Sequence, residues 1–263
     1  MNVIDFYTKK KNNEKISMVT CYDYTSARIL SETTIDCLLV GDSVSMTIHG
    51  FRDTIAATVE MMIAHTLAVS RGTQNKFIVS DLPFLSYRKS LSQNITVAQK
   101  LMQAGTHAVK IESAAGNLRL IRHLLESGVP VMGHLGLTPQ LKHALGGYKV
   151  QGKTIDSAAR LQKDALLLQE AGCFAIVLEC VPAQLAKEIS QSLLIPTIGI
   201  GAGPFTDGQV LVWQDLLGLN IDFQPKFAKI FVNGRAQITN GIEAYINAVK
   251  SGEFPASEHC YRN

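Results

Sequence analysis

Four charged residues sit where short, branched apolar runs end: Asp42 in VGDS, Asp81 in VSDLPF, and Lys110 and Glu112 in AVKIE. Each run is rich in Val, Ile and Leu, the composition of a strand buried on both faces. If those strands are parallel neighbours, the four side chains gather at one rim. Like charges buried together repel and lose hydration, so three carboxylates and an ammonium in one place need a cause. A divalent cation with an anionic ligand supplies one. Hard oxygen ligands on neighbouring strands suit Mg²⁺, which takes few protein carboxylates and completes its shell with water or substrate oxygens. Any single aspartate at a strand end is equally well a helix cap. Three acids on consecutive strands favour the metal, with Asp42, Asp81 and Glu112 as ligands. No cysteine or histidine pair has zinc spacing.

Lys110 and Glu112 are two apart on one strand and face the same side. Lys110 can hold a substrate carboxylate, form a Schiff base, or pair with Glu112. Ser43 follows Asp42 and offers a hydroxyl and a backbone N–H to an anion. Glu179 ends the run IVLEC. A glutamate at an apolar strand end suits general-base work if burial raises its pKa; the alternative is an ion pair with a rim cation. His134 in MGHLGLTPQ shares the rim and is a candidate pocket residue. His49, His65, His107, His123, His143 and His259 read as surface or structural. Gly199, Gly201 and Gly203 in IGIGAGP do not meet G-x-G-x-x-G, because residue 204 is Pro. They read as room for a ligand or as a tight turn. Tyr22, Asp23 and Tyr24 follow the first strand and are weaker pocket candidates.

The elements that position these residues form a repeating unit. Apolar runs at 16–20, 37–40, 77–80, 108–111, 129–132, 174–178 and 196–200 predict buried strands. Helical patterns lie between them at 58–70, 93–104, 117–126 and 157–171, the last with Asp156 as N-cap. An eighth strand is expected at 209–213. The competing reading is a helix from Thr206, with Thr206 and Gln209 as a capping box. The first fifteen residues form a helix closing the barrel's amino-terminal end, and 135–155 is an active-site loop. This alternation predicts one (β/α)₈ barrel domain over 1–263, with its chemistry at the carboxyl ends of the strands.

The bulk numbers agree with an ordinary enzyme-sized domain. The chain has 263 residues, 46% hydrophobic and 18% charged, with a formal net charge of +3. The signs are dispersed, which excludes a nucleic-acid surface. Lys9, Lys10 and Lys11, near Lys15, read as a solvated helix end. The five cysteines are odd in number and lack CxxC spacing, so neither a disulfide framework nor a zinc site is indicated. Neither a signal peptide nor a membrane span is visible, and a cytoplasmic location is expected.

The motifs VTCYDYTSA, VGDSVSM, VSDLPFLSY, AVKIE, GHLGLTPQ, GGYKVQGK, VLECVP and IPTIGIGAGP, in that order, resemble the ketopantoate hydroxymethyltransferase family. The resemblance runs from Ile16 to Lys229. It implies a TIM barrel of the phosphoenolpyruvate/pyruvate type. It also implies one-carbon transfer from 5,10-methylenetetrahydrofolate to 3-methyl-2-oxobutanoate, giving 2-dehydropantoate for pantothenate and coenzyme A synthesis. Carried over, Asp42 and Asp81 bind Mg²⁺, with Glu112 completing or supporting the site. Asp42, Ser43, Asp81 and Lys110 surround the oxo acid, and Glu179 accepts the proton. The family implies a homo-oligomer, a decamer built as a pentamer of dimers. Leu85 departs from the family's expected glycine and is expected to narrow the pocket near Asp81. Rival readings are a folate-independent Mg²⁺ lyase or aldolase of the same barrel type, a Schiff-base aldolase on Lys110, and a non-catalytic binding barrel.

Overall fold

The apolar runs pair side by side, each strand parallel to the next. The computed structural model describes residues 1–220 and 224–261. The strands are β1 (Ile16–Thr20), β2 (Cys37–Val40), β3 (Phe77–Asp81), β4 (Ala108–Glu112), β5 (Val131–Gly136), β6 (Ala175–Glu179), β7 (Thr197–Ile200) and β8 (Gly208–Leu211). They close in sequence order, and β8 returns to pair with β1. The helices are α1 (Val3–Lys11), α2 (Tyr24–Ser31), α3 (Val44–Thr47), α4 (Val59–Gly72), α5 (Leu91–Gln103), α6 (Leu118–Glu126), α7 (Lys142–Leu145), α8 (Ile155–Glu170), α9 (Ala183–Ser192), α10 (Trp213–Leu216) and α11 (Gly234–Ser251). The chain divides into two compact units, Met1–Val212, which holds the barrel, and Trp213–Asn263, which holds α10 and α11.

Several boundaries depart from the sequence expectation for identifiable reasons. β5 and β7 begin after Pro130 and Pro196, since proline has no N–H to give a ladder. The eighth strand is present but starts at Gly208 and stops before Trp213, which opens α10. Thr206 caps no helix. Its hydroxyl donates to the Gly208 carbonyl at 2.8 Å and accepts from Gln209 Nε2 at 2.8 Å. α8 is capped by Thr154, whose Oγ1 accepts from the Ser157 N–H at 3.3 Å, and Asp156 lies inside the first turn. The segment expected as a loop after β5 carries a 3₁₀ turn at Pro139–Leu141 and then α7.

α1 seals the amino-terminal end of the barrel. Phe6 is fully buried, with its ring edge-on to Phe77 at 5.3 Å and Phe174 at 5.0 Å. The basic cluster is not the solvated helix end its composition suggested. Lys9 lies 3.0 Å from Asp36, and Lys10 lies 2.7 Å from Asp207 and donates to the Ser190 carbonyl at 2.8 Å. Two of its lysines therefore tie the cap to the barrel floor. Above them the interior is filled by Met18, Leu39, Val79, Met132, Val177 and Ile198, among others.

Candidate active site

Side chains alternate along a strand, so inward positions recur every two residues. Phe77 and Val79 belong to the barrel core, and Asp81 is the next inward position of β3. The same count on β4 runs Ala108, Lys110, Glu112; on β5, Met132 then His134; on β6, Ala175, Val177, Glu179. The polar residues form the top layer of an otherwise apolar interior. Parallel register sets Asp81 beside Lys110 and Glu112 beside His134. Asp42 lies just past the end of β2, and its backbone N–H donates to Asp81 Oδ2 at 3.0 Å.

Contacts then run around the rim. Lys110 Nζ is 3.1 Å from Asp81 Oδ1 and 3.2 Å from His134 Nδ1. His134 Nδ1 is 3.5 Å from Glu112 Oε1, and its Nε2 is 3.2 Å from Glu179 Oε2. With Lys110 donating to Nδ1, the neutral imidazole carries its proton on Nε2, facing Glu179. Asp42, Asp81, Lys110, Glu112 and His134 are buried, whereas the Glu179 side chain is 18% exposed. That places Glu179 where the cluster meets the opening. The Ser43 hydroxyl pairs with the buried Tyr22 hydroxyl at 2.8 Å. Gly136 follows His134 and Leu135 with φ +92°, and a Cβ there would stand 2.2 Å from the Glu179 carbonyl oxygen. Only glycine lets β5 and β6 approach so closely at the level of Glu179, its partner in register.

Burial and crowding set the charge states. The Asp42 carboxyl is pushed well above the ordinary carboxylate range, first by burial and then by Asp81 and Glu112; Lys110 opposes this. Burial pushes the Lys110 ammonium down, but Asp81, Glu112 and Asp42 outweigh it and hold its pKa above the usual lysine value. For His134, burial and Lys110 push down, and contacts with Glu112 and Glu179 reverse the sign, leaving it raised.

Among the described residues, no three His, Cys, Asp or Glu side chains converge as a ready-made cation cage. Glu112 Oε2 accepts from the Gln140 backbone N–H at 3.2 Å while Oε1 faces His134, so both its oxygens are turned to protein groups. Asp81 Oδ1 is buried without an aligned hydrogen bond. That oxygen faces the Lys110 ammonium at 3.1 Å, and the Asp42 and Asp81 carboxyls side by side fit a hard divalent ion held by one or two protein carboxylates plus other oxygens.

All seven residues expected at the rim lie in this one neighbourhood. Two partners were missed. Gln140 is buried and donates to Asp42 Oδ2 at 2.8 Å, and Tyr87 donates its hydroxyl to Gln140 Oε1 at 2.7 Å. Both stand in motifs noted above, GHLGLTPQ and LPFLSY. They lie on connections, where no periodicity marks the inward face. His65 and His49 form a pair, Nε2 to Nε2 at 2.9 Å, with His65 Nδ1 against the Tyr22 carbonyl. Gly201 and Gly203, at φ 64° and 76°, make a tight turn after β7.

The sequence profile of the family described as ketopantoate hydroxymethyltransferase matches residues 1–257. The chain belongs to the ketopantoate hydroxymethyltransferase family. A relative from Coxiella burnetii (strain Dugway 5J108-111), named 3-methyl-2-oxobutanoate hydroxymethyltransferase, is 56% identical over 263 residues, covering 99% of both chains. One of the same name from Francisella tularensis subsp. novicida (strain U112) is 53% identical over 260 residues, covering 99% of this chain and 98% of the relative. Among solved structures, 2,3-dimethylmalate lyase, described as a PEP mutase/isocitrate lyase superfamily member, superposes with TM-score 0.60 at 16% identity over 98% of this chain and 91% of its own. Phosphonopyruvate hydrolase in complex with oxalate and Mg²⁺ superposes with TM-score 0.63 at 9% identity, covering 98% and 93%. At these identities the likeness speaks to fold alone, and it agrees with the closed eight-stranded parallel barrel: this family member is a (β/α)₈ TIM barrel.

Proposed function

We propose that the chain transfers a hydroxymethyl group from 5,10-methylenetetrahydrofolate to 3-methyl-2-oxobutanoate, giving 2-dehydropantoate in pantothenate biosynthesis. The reading is carried by the family membership, joined to the gathering of Asp42, Asp81, Lys110, Glu112 and Glu179 at one rim. Asp42 and Asp81 would hold Mg²⁺, with Glu112 supporting the site through its contacts with Gln140 and His134. The ion supplies Lewis-acid stabilisation of the negative charge that develops on the keto oxygen. The magnesium in the phosphonopyruvate hydrolase complex accompanies oxalate, a small dicarboxylate of comparable chelating geometry, and supports this choice of metal.

Lys110 opposes the substrate carboxylate, and Ser43 offers it a hydroxyl and a backbone N–H. Glu179 takes the C3 proton. Its partial exposure lets it reach a bound substrate, and His134 Nε2 lies 3.2 Å from its carboxylate. Water supplies the hydroxyl oxygen. As it adds to the methylene carbon, both C–N bonds to the folate break and release tetrahydrofolate. The C3 carbon nucleophile forms the new C–C bond to that one-carbon unit, at the oxidation level of formaldehyde. No helix among the described residues is long and apolar enough to cross a membrane. The family membership is what leads us to propose a cytoplasmic homo-oligomer, a pentamer of dimers.

The test is loss of the C3 hydrogen of 3-methyl-2-oxobutanoate to deuterated solvent, with Mg²⁺ and without folate. Exchange is expected, and net product is expected only when methylenetetrahydrofolate is added. An unexchanged C3 hydrogen identifies a passive binder and ends the proposal. Product without folate points instead to a lyase or aldolase of the same barrel.

A further inference from the structure

We infer that Gln140, oriented by Tyr87, is the positioning residue that aims the Asp42 carboxylate at the metal ion. The inference rests on the proposed role of Asp42 as a ligand. Gln140 is 3% exposed, on the 3₁₀ turn after β5. Every polar group it directs into the site is engaged. Nε2 donates to Asp42 Oδ2 at 2.8 Å and to the Leu82 carbonyl at 2.9 Å. Oε1 accepts from the Tyr87 hydroxyl at 2.7 Å. The backbone N–H donates to Glu112 Oε2 at 3.2 Å.

This network permits one orientation of the amide. Flipped, its oxygen would face the Leu82 carbonyl, which carries no proton in any charge state, and its N–H groups would face the hydrogen of the Tyr87 hydroxyl. The Tyr87 hydroxyl reinforces the choice by donating to Oε1. Asp42 therefore has Oδ2 committed to protein, which would leave Oδ1 for the cation. The donor's chemistry matters too. A lysine or arginine in its place would neutralise the carboxylate and compete with the metal. A neutral amide fixes the carboxylate's direction and leaves its charge for the ion. It also spreads the cost of burying Asp42, because each donor replaces a lost water.

Mn²⁺ serves as the probe, with the free ion counted by its paramagnetic resonance in the absence of substrate. Gln140→Leu keeps the volume and removes the donors. Its Mn²⁺ affinity is expected to fall about 10- to 100-fold, the usual effect of losing a partner behind a metal ligand. Tyr87→Phe keeps the ring and removes only the orienting hydroxyl; its affinity should fall in the same direction by less. Ser190→Ala breaks a different buried pair, the 2.6 Å contact with Thr197, and should lower the melting temperature without changing Mn²⁺ affinity.

If Gln140→Leu does not fold, Tyr87→Phe decides. Parent and both variants binding Mn²⁺ equally would overturn the inference and leave the proposed activity standing. An equal loss in Ser190→Ala would overturn it as well, by tracing the effect to general loosening. A parent that binds no Mn²⁺ removes the ligand role of Asp42, and the inference with it.

Discussion

The acid cluster defines two predictions at the level of single side chains. Asp42 has a folded pKa raised by burial and then by Asp81 and Glu112. The native state thus holds a proton that the unfolded chain has already released. Stability of the metal-free protein must then fall as pH rises from the ordinary aspartate range toward the raised value. His134 acts in the same direction. Its raised pKa gives stability that is full below the unfolded imidazole value and is lost as pH rises through the folded one. Asp42→Asn removes the charge, while its side-chain oxygen can still accept from Gln140. We expect the EDTA-treated variant to be more stable than the parent at neutral pH, with a flatter decline into alkaline pH and no turnover. Thermal unfolding across pH measures this, and a variant less stable than the parent at every pH contradicts it. Glu179→Gln keeps size and the contact with His134 but accepts no proton. Its kcat should drop about 10²- to 10⁴-fold with little change in KM for the oxo acid, and unchanged turnover removes Glu179 as the base.

At the level of elements, the strands were legible because buried parallel strands are uniformly apolar, and their ends were legible because charge interrupts them. The same uniformity hid which face turns inward. Only the spacing of Lys110 and Glu112 revealed it for one strand, and register extended it to Asp81 and His134. The connections were not legible: Gln140 and Tyr87 reach the site from turns whose geometry no periodic pattern encodes. Leu85 is the instructive exception. It was marked only because the family resemblance leads one to expect glycine, and its backbone is left-handed at φ +57°. The residue is 51% exposed, so its first effect falls on the backbone rather than on the pocket. A non-glycine residue in that region costs about 1–2 kcal/mol, partly offset by the extra freedom glycine gives the unfolded chain. Leu85→Gly should therefore stabilise the protein by roughly 0.5–1 kcal/mol, read as a higher midpoint in denaturant with an unchanged slope. A lower midpoint would mean that the exposed leucine makes contacts worth more than the strain.

Across the barrel unit, the chain separates what holds it together from what it does. The amino-terminal end is closed by α1, sealed with aromatic rings and tied down at its margin by Lys9 and Lys10, while the ionisable residues of the barrel interior collect at the opposite rim. Barrels of this kind tolerate the division because their interior is a packed core rather than a channel. The separation makes a testable claim about Phe6, which is fully buried against Phe77 and Phe174. Phe6→Ala loses a large apolar surface and leaves a void bounded by two rings and the strand floor, at a cost of about 3–5 kcal/mol. None of the residues it touches reaches the acid cluster, since Phe77 and Asp81 sit at opposite ends of β3. Denaturant unfolding should show the full loss, while Mn²⁺ affinity and C3 hydrogen exchange stay at the parent's level at temperatures where the variant is folded. If affinity falls in step with stability, the cap and the rim form one cooperative device, and the division of the barrel into a supporting end and a reacting end does not hold for this chain.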